Sequence, residues 1–457
     1  MDSSAEIKAV AETLADQAAS LAAGGIPDAV RTRTEELLID VVGLCVAARN
    51  MDYMKALIAG VDSGGPCTAI GHATGFAPET AAMINGTAAH GEDFDDTFEG
   101  GPVHSSAVIA PAVLAACERF GRDGRSALIG MVAGIETLCR LSMVIPKAIH
   151  KAGFHPTSIL GSLAATLAVS TAMGLNRRQT VDALGIAGSM ASGIIEYLAE
   201  GAWTKRLHAG WAAKIGVQAA RLGQQGFLGP RTVFEGTHGL FQGFARSTAG
   251  NYGVLSEDFG HKWFIEGITF KPYATGTMNQ PYIDCALRLS KKGIHAEDVS
   301  DILCETAEGY VHRLWEPLAS KHSPANEYAA KFSTPFNIAV AFITGGAGLA
   351  AFTGETARDK RILALASKVR YVVDPNNPYP KAYTGHIRMT LKDGTVVEER
   401  QPYIRGGVKE PLTRAEIEDK FRSNCAFGGW SSERMNAFLR AAPTLFDGRI
   451  DLSALRR

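Results

Sequence analysis

The spacing of apolar and polar positions makes the first half of this chain helix after helix. Apolar residues recur every three or four positions over 3–23, stopping at Gly24-Gly25. They do so again from Pro27 to about Ala48, where Leu37, Val41, Leu44 and Cys45 share one face. The same period predicts helices over 108–120, 126–144, 158–173, 177–190 and 207–225, three of them closed by Gly121, Pro146 and Gly174. Several are rich in Ala, Ser and Gly. Such helices pack closely and are buried on most faces, which predicts a large helical core.

After about Trp263 the pattern changes. Short β-like runs cover 299–306 and 369–373, the second stopped by Asp374-Pro375. Residues 386–399 read as a hairpin: Ile387, Met389 and Leu391 alternate, Asp393-Gly394 turns the chain, and Val396 returns it. Helical patterns over 281–290 and 335–343 lie between these runs. From Thr413 the helical period resumes with Glu416, Ile417 and Phe421, then over 432–441. The expected architecture is mainly α: a large all-helical domain formed by both chain ends (1–265 with 406–457) and a smaller inserted α+β domain (266–405).

At 457 residues the chain exceeds one ordinary core, which fits two domains. Its 46 basic and 47 acidic residues nearly balance, giving a net charge of −1. Nucleic acid or an anionic membrane as main partner would favour a basic excess, so neither is expected. No uninterrupted apolar run reaches the roughly 18 residues of a membrane span. Segment 1–22 lacks the basic and apolar regions of a signal peptide. Cys45, Cys67, Cys117, Cys139, Cys285, Cys304 and Cys425 are scattered without a C-x-x-C pair. That favours a reduced, cytoplasmic setting over a zinc site or disulfide frame.

Candidate chemistry concentrates in Asn85-Gly-Thr-Ala-Ala-His90-Gly-Glu92-Asp93-Phe-Asp95-Asp96-Thr97, with His104 following. Four carboxylates in five positions repel one another unless cations, helix N-termini or raised pKa values compensate. Three readings stand: an exposed acidic loop with a helix cap, an aspartate-rich Mg²⁺ site, and a carboxylate acid or base beside His104. The metal reading lacks a partner motif, because no second acidic cluster lies on a later helix. His155, in Gly153-Phe154-His155-Pro156, sits where a helix begins, which favours neutral imidazole and attracts anions. Lys205, Arg206 and His208 crowd another helix start, opposing its dipole unless an anion or water answers them. Lys271, in Phe270-Lys271-Pro272-Tyr273, follows the expected boundary near 266. Phosphate-loop, dinucleotide and nucleophile-elbow motifs are missing.

Taken in order, these segments and Ala330-Lys331-Phe332-Ser333 resemble the MmgE/PrpD family over nearly the whole chain. The family includes dehydratases of 2-methylcitrate, decarboxylases of cis-aconitate and epimerases of iminodisuccinate. The resemblance implies a helical domain holding both termini, an α+β lid, a homodimer, and an active site between the domains without metal or organic cofactor. It implies Asp93, His104, His155, Lys205 and Lys271 as catalytic residues. Thr97, Lys205, Arg206, His208, Lys271 and Tyr273 are the candidates for substrate contact. Decarboxylase-like members carry a His five residues after the Lys271 position, where Gly276 stands here. A second His position is Gln280, and a Tyr position aligns with Phe336.

The shared chemistry is removal of a weakly acidic proton from a carbon α to a carboxylate. It needs a base in contact and cations on the developing enediolate. His104 or His155 would be the base, Lys205 and Lys271 the cations. Asp93 would be acid or orienter, and Thr97 a hydrogen-bonding partner. The expected activity is dehydration of a small hydroxy-polycarboxylate such as 2-methylcitrate. Epimerisation of a substituted succinate stands second and decarboxylation of a cis-aconitate-like acid third. A catalytically silent helical scaffold is the non-enzyme alternative.

Overall fold

In the computed structural model, which describes residues 8–456, contacts within the chain divide it into two units. The first holds residues up to Gly91, Asp95–Ile268 and the chain from Ile417 onward. The second holds Glu92–Phe94 and Thr269–Glu416. Beside the expected division at 266 and 405, the second unit thus keeps residues 406–416. Phe270 N donates to Gly406 O (3.1 Å) and Gln401 Nε2 to Glu410 Oε2 (2.7 Å), which ties that stretch to it.

The first unit is helical. Its central helix is Pro156–Met173, in which every residue but Thr171 is buried. Helices Gly124–Val144, Thr204–Gln224, Ser106–Phe120 and Arg177–Met190 pack around it. Its hydroxyls tolerate burial because they bond back along the helix: Ser162 Oγ donates to Ser158 O (2.8 Å) and Thr166 Oγ1 to Ser162 O (2.7 Å). Gly124–Val144 and Pro156–Met173 are each long and apolar enough on average to cross a membrane, a length that counting uninterrupted apolar runs does not reach. In each, 94% of the apolar window is buried within the fold. Their polar residues interrupt the run without raising its mean polarity far.

Two of those interruptions tie the unit together. Arg140, fully buried, donates to the carbonyls of Val254 (2.8 Å), Glu257 (2.7 Å) and Lys262 (3.1 Å). Glu136, one turn earlier, accepts from Ile265 N (2.8 Å), and burial pushes its carboxyl up to about 7. Helix Arg414–Phe427 contributes Lys420, whose Nζ lies 2.8 Å from Asp40 Oδ1 on Asp28–Ala48. Burial raises the Asp40 carboxyl to about 6, with Lys420 pulling against the rise. The first helix is described as Val10–Gly24; the 3–7 part of the expected run lies outside the described residues.

The second unit is α+β. A four-stranded sheet runs in the order Val369–Val373, Val299–Thr306, Gly385–Leu391, Val396–Gln401. The first pair is parallel (Ile302↔Val369) and the others antiparallel (Ile302↔Met389, Met389↔Val397). Ile302, Cys304, Ile387 and Met389 are buried, while Arg388, Glu398 and Arg400 face water, the alternation of a sheet covered on one side. Helix Gln280–Ser290 packs on the two C-terminal strands, and Thr334–Thr344 packs on that helix. All seven cysteines are buried and unpaired.

Candidate active site

Helix Pro78–His90 places the first functional side chain, and no periodic pattern in the sequence predicts it. It is buried on nearly every side, so it carries no amphipathic stripe. It crosses Thr204–Gln224 at two glycines. A β-carbon on Gly86 would stand 2.7 Å from the Gly210 α-carbon, and one on Gly210 would stand 2.1 Å from the Met83 carbonyl oxygen. Only glycine permits so close an approach. His90 ends one of these helices and His208 lies near the start of the other.

The acidic cluster that follows is not an exposed loop, because Glu92, Asp93, Asp95 and Asp96 are all buried. Each is compensated in its own way. Asp96 serves the N-terminus of Ser106–Phe120: it accepts from the N–H groups of Ser105 and Ser106 (3.1 Å each), from Ser105 Oγ (2.7 Å) and from Ser106 Oγ. Burial and neighbouring Asp95 still push its pKa up. Asp95 faces histidines: its Oδ2 lies 2.8 Å from His90 Nδ1 and 3.4 Å from His104 Nδ1. Glu92 and Asp93 belong to the second unit and meet lysines there.

In the first unit His90, His104, His155 and His208 gather around this point. Ring centroids lie 4.7 Å apart for His90 and His104, 5.8 Å for His90 and His155, and 5.2 Å for His155 and His208. His104 Nδ1 is 2.8 Å from the carbonyl oxygen of Asp96, which only accepts, so Nδ1 carries the proton and Nε2 is the basic nitrogen. His155 caps the start of Pro156–Met173, and its Nδ1 lies 3.1 Å from His208 Nδ1. Two imidazoles in that contact share one hydrogen. Burial holds His155 well below the usual histidine range, with His90 and Lys205 adding to the effect. Burial, His90 and Lys205 likewise lower His208 to about 4. Both rings are therefore neutral near pH 7. Lys205 is half-buried, and its charge bears on both. Its neighbour Arg206 turns to the ring of Tyr53, 4.3 Å from its centroid. Thr97 is buried in the short strand Thr97–Phe98.

The second unit repeats one motif twice. Lys271 Nζ donates to the backbone oxygen and to Oδ1 of Asp93, both at 2.8 Å. Lys331 Nζ donates to the backbone oxygen (2.9 Å) and Oε2 (2.5 Å) of Glu92. Asp93 takes a left-handed backbone (φ 56°), a conformation Asp adopts more readily than most residues. Tyr273, two residues beyond Lys271, donates its hydroxyl to Asp284 Oδ1 (2.6 Å).

Known proteins bear on this geometry. The family model described as the MmgE/PrpD N-terminal domain matches residues 12–251, and that of the MmgE/PrpD C-terminal domain matches 273–441. The chain belongs to the MmgE/PrpD family. Among its MmgE/PrpD relatives is cis-aconitate decarboxylase of Homo sapiens, 28% identical over 92% of this chain and 88% of its own. Cis-aconitate decarboxylase of Aspergillus terreus is 26% identical over 92% of this chain and 90% of its own. The mitochondrial 2-methylcitrate dehydratase of Yarrowia lipolytica is 26% identical over 70% and 65%.

Within this MmgE/PrpD chain, the three positions that depart from the decarboxylase-like pattern are packed. A β-carbon on Gly276 would stand 3.1 Å from the Phe332 ring. Buried Gln280 donates through Nε2 to the carbonyls of Tyr273 (3.0 Å) and Thr275 (3.1 Å), bracing the turn after Lys271 with a group that does not exchange protons. Phe336 is fully buried. Among the described residues one trio, His90, Asp95 and His104, has donor atoms within 4.8 Å of one another, close enough to hold a metal. The His104 nitrogen facing Asp95 already carries a proton, so the trio fits a hydrogen-bond network better than a ligand set. His90, Asp95 and Lys331 are the residues that sequence reasoning left without a role. All three stood in the motifs that carry the resemblance.

Proposed function

We propose that this chain is a lyase that dehydrates a small hydroxy-polycarboxylate such as 2-methylcitrate by acid–base catalysis. The observation that carries the reading is the buried group of four neighbouring histidines, two of which, His90 and His104, face the carboxylate of Asp95. Proton abstraction next to a carboxylate needs a base that is neutral near pH 7, and imidazole meets that need.

In this reading His104 Nε2 takes the α-proton. The electron pair left behind forms the new carbon–carbon double bond, and the β-hydroxyl leaves as water after taking a proton. His155 and His208 stay neutral, and the ring whose Nδ1 accepts from the other donates through its Nε2–H to the oxygen on which charge develops. Lys205 and Lys271 are assigned to substrate carboxylates, with Thr97, Arg206 and Tyr273 as further contacts. Asp93 is assigned as acid or orienter, its carboxylate held by Lys271.

A second reading is decarboxylation, favoured by the names of the relatives that match over nine-tenths of the chain. Against it stand Gly276, Gln280 and Phe336, which put no titratable group where decarboxylase-like members have one. Carbon NMR of the purified protein with 2-methylcitrate and, separately, with cis-aconitate distinguishes the two. Alkene carbons growing from 2-methylcitrate are the expected result. Carbon dioxide released from cis-aconitate, with 2-methylcitrate untouched, replaces the first reading with the second.

A further inference from the structure

We propose that Asp95 is a positioning residue that divides the four histidines into two functional pairs. It fixes His90 and His104 with the proton on Nδ1 and balances the imidazolium that His104 becomes, while His155 and His208 stay a neutral pair with one N–H left to donate. The catalytic part rests on the acid–base reading above; the tautomer part does not.

The argument begins with what each atom is able to do. Asp95 is wholly buried and ionised carboxylate only accepts. Its Oδ2 is 2.8 Å from His90 Nδ1, so that nitrogen is the donor and Nε2 of His90 holds the lone pair. His90 Nε2 is itself buried and has no hydrogen-bond partner among the described residues, as expected of a nitrogen kept for a transient proton or a substrate atom. His104 Nδ1 points between two acceptors, Asp96 O at 2.8 Å and Asp95 Oδ2 at 3.4 Å. With Nδ1 so fixed, a proton arriving at His104 Nε2 creates a cation beside a desolvated carboxylate, where attraction is strong.

His155 and His208 have a different partner, each other, at 3.1 Å. One ring donates and one accepts, so the contact survives only while at least one of them is neutral. Lys205 adds positive charge to both, which opposes a second cation there. The two pairs lie side by side, with His90 and His155 rings stacked at 5.8 Å and 25°. One pair is thus built to take up a proton and the other to offer a single N–H without charging.

The test is imidazole nitrogen NMR of the full chain with labelled histidine, assigned by single His→Gln variants. In the free protein His90 and His104 are expected to show protonated Nδ1 and bare Nε2, the tautomer less common in water. Asp95→Asn removes the charge and offers an amide N–H to the ring. It should move His90 to the Nε2–H form and lower kcat by about a hundredfold or more with KM within about threefold. His208→Gln should leave the His90 and His104 signals in place. Nε2–H on His90 and His104 in the unaltered protein overturns the assignment even if Asp95→Asn does not fold. Correct tautomers with an unchanged kcat in Asp95→Asn overturn its catalytic part. A protein that turns over no polycarboxylate strikes the lyase reading instead and leaves the spectrum to judge Asp95.

Discussion

Glu92 and Asp93 differ from Asp95 and Asp96 in how their charge is answered, although five positions contain all four. The first two are gripped by ammonium groups, Lys331 and Lys271, each bonded to a backbone oxygen and a carboxylate oxygen of the same residue. The other two meet uncharged donors: serine hydroxyls, backbone N–H groups and imidazoles. A lysine-held carboxylate is neutralised and fixed, because losing either partner strands a buried charge. A carboxylate between imidazoles keeps its charge for a proton that comes and goes. The acidic run thus joins a clamp to a proton-handling centre.

The sharpest break of that comparison is on the proton-handling side. His104→Gln keeps size and polarity and removes the base; kcat is expected to fall about a thousandfold, with the thermal midpoint little changed. Stopped turnover assays and a melt check both halves. At the Glu92–Lys331 half of the clamp, which carries no catalytic assignment, the effect is on stability. Lys331→Met leaves Glu92 buried without its cation and should cost about 3–5 kcal/mol in denaturant unfolding. Adding Glu92→Gln should recover part of that loss. A cost near zero would mean that the clamp is ornamental.

Acid separates the two sides further. The folded His208 value of about 4 lies below its ordinary 6.5, so the native protein binds fewer protons than the unfolded chain between those values. Stability from this group is complete above about pH 6.5 and is lost as pH falls toward 4, about 3 kcal/mol in all. His155, lowered for the same reason, acts in the same direction. His208→Gln should flatten this part of the stability–pH curve. The smallest effect belongs to Asp96: Ser106→Ala removes one of its four donors and should cost about 1 kcal/mol, read as a small drop in thermal midpoint.

Much of this was legible in the sequence where one face differs from another. Arg177–Met190, Ser432–Ala441 and the strand Val299–Thr306 begin and end where periodicity and caps put them. Pro78–His90 escaped because a helix buried all round shows no period, only small and apolar residues. The cluster of acids was visible, and so were the three means of compensating it. Which acid would use which means was not, because Lys271 and Lys331 lie some 180 and 240 positions further along the chain. Asp95 looked like its neighbours until a histidine five residues earlier and another nine later were seen to converge on it.

The most direct test of acid–base catalysis at a carbon beside a carboxylate is one proton NMR time course in heavy water. Purified protein is supplied with 2-methylcitrate, alongside the His104→Gln variant at equal concentration. The account predicts an alkene signal that grows with the unaltered protein and is nearly absent with the variant. Equal rates from the two proteins would contradict the role given to His104. Solvent deuterium entering the α-carbon with no alkene formed would contradict dehydration itself.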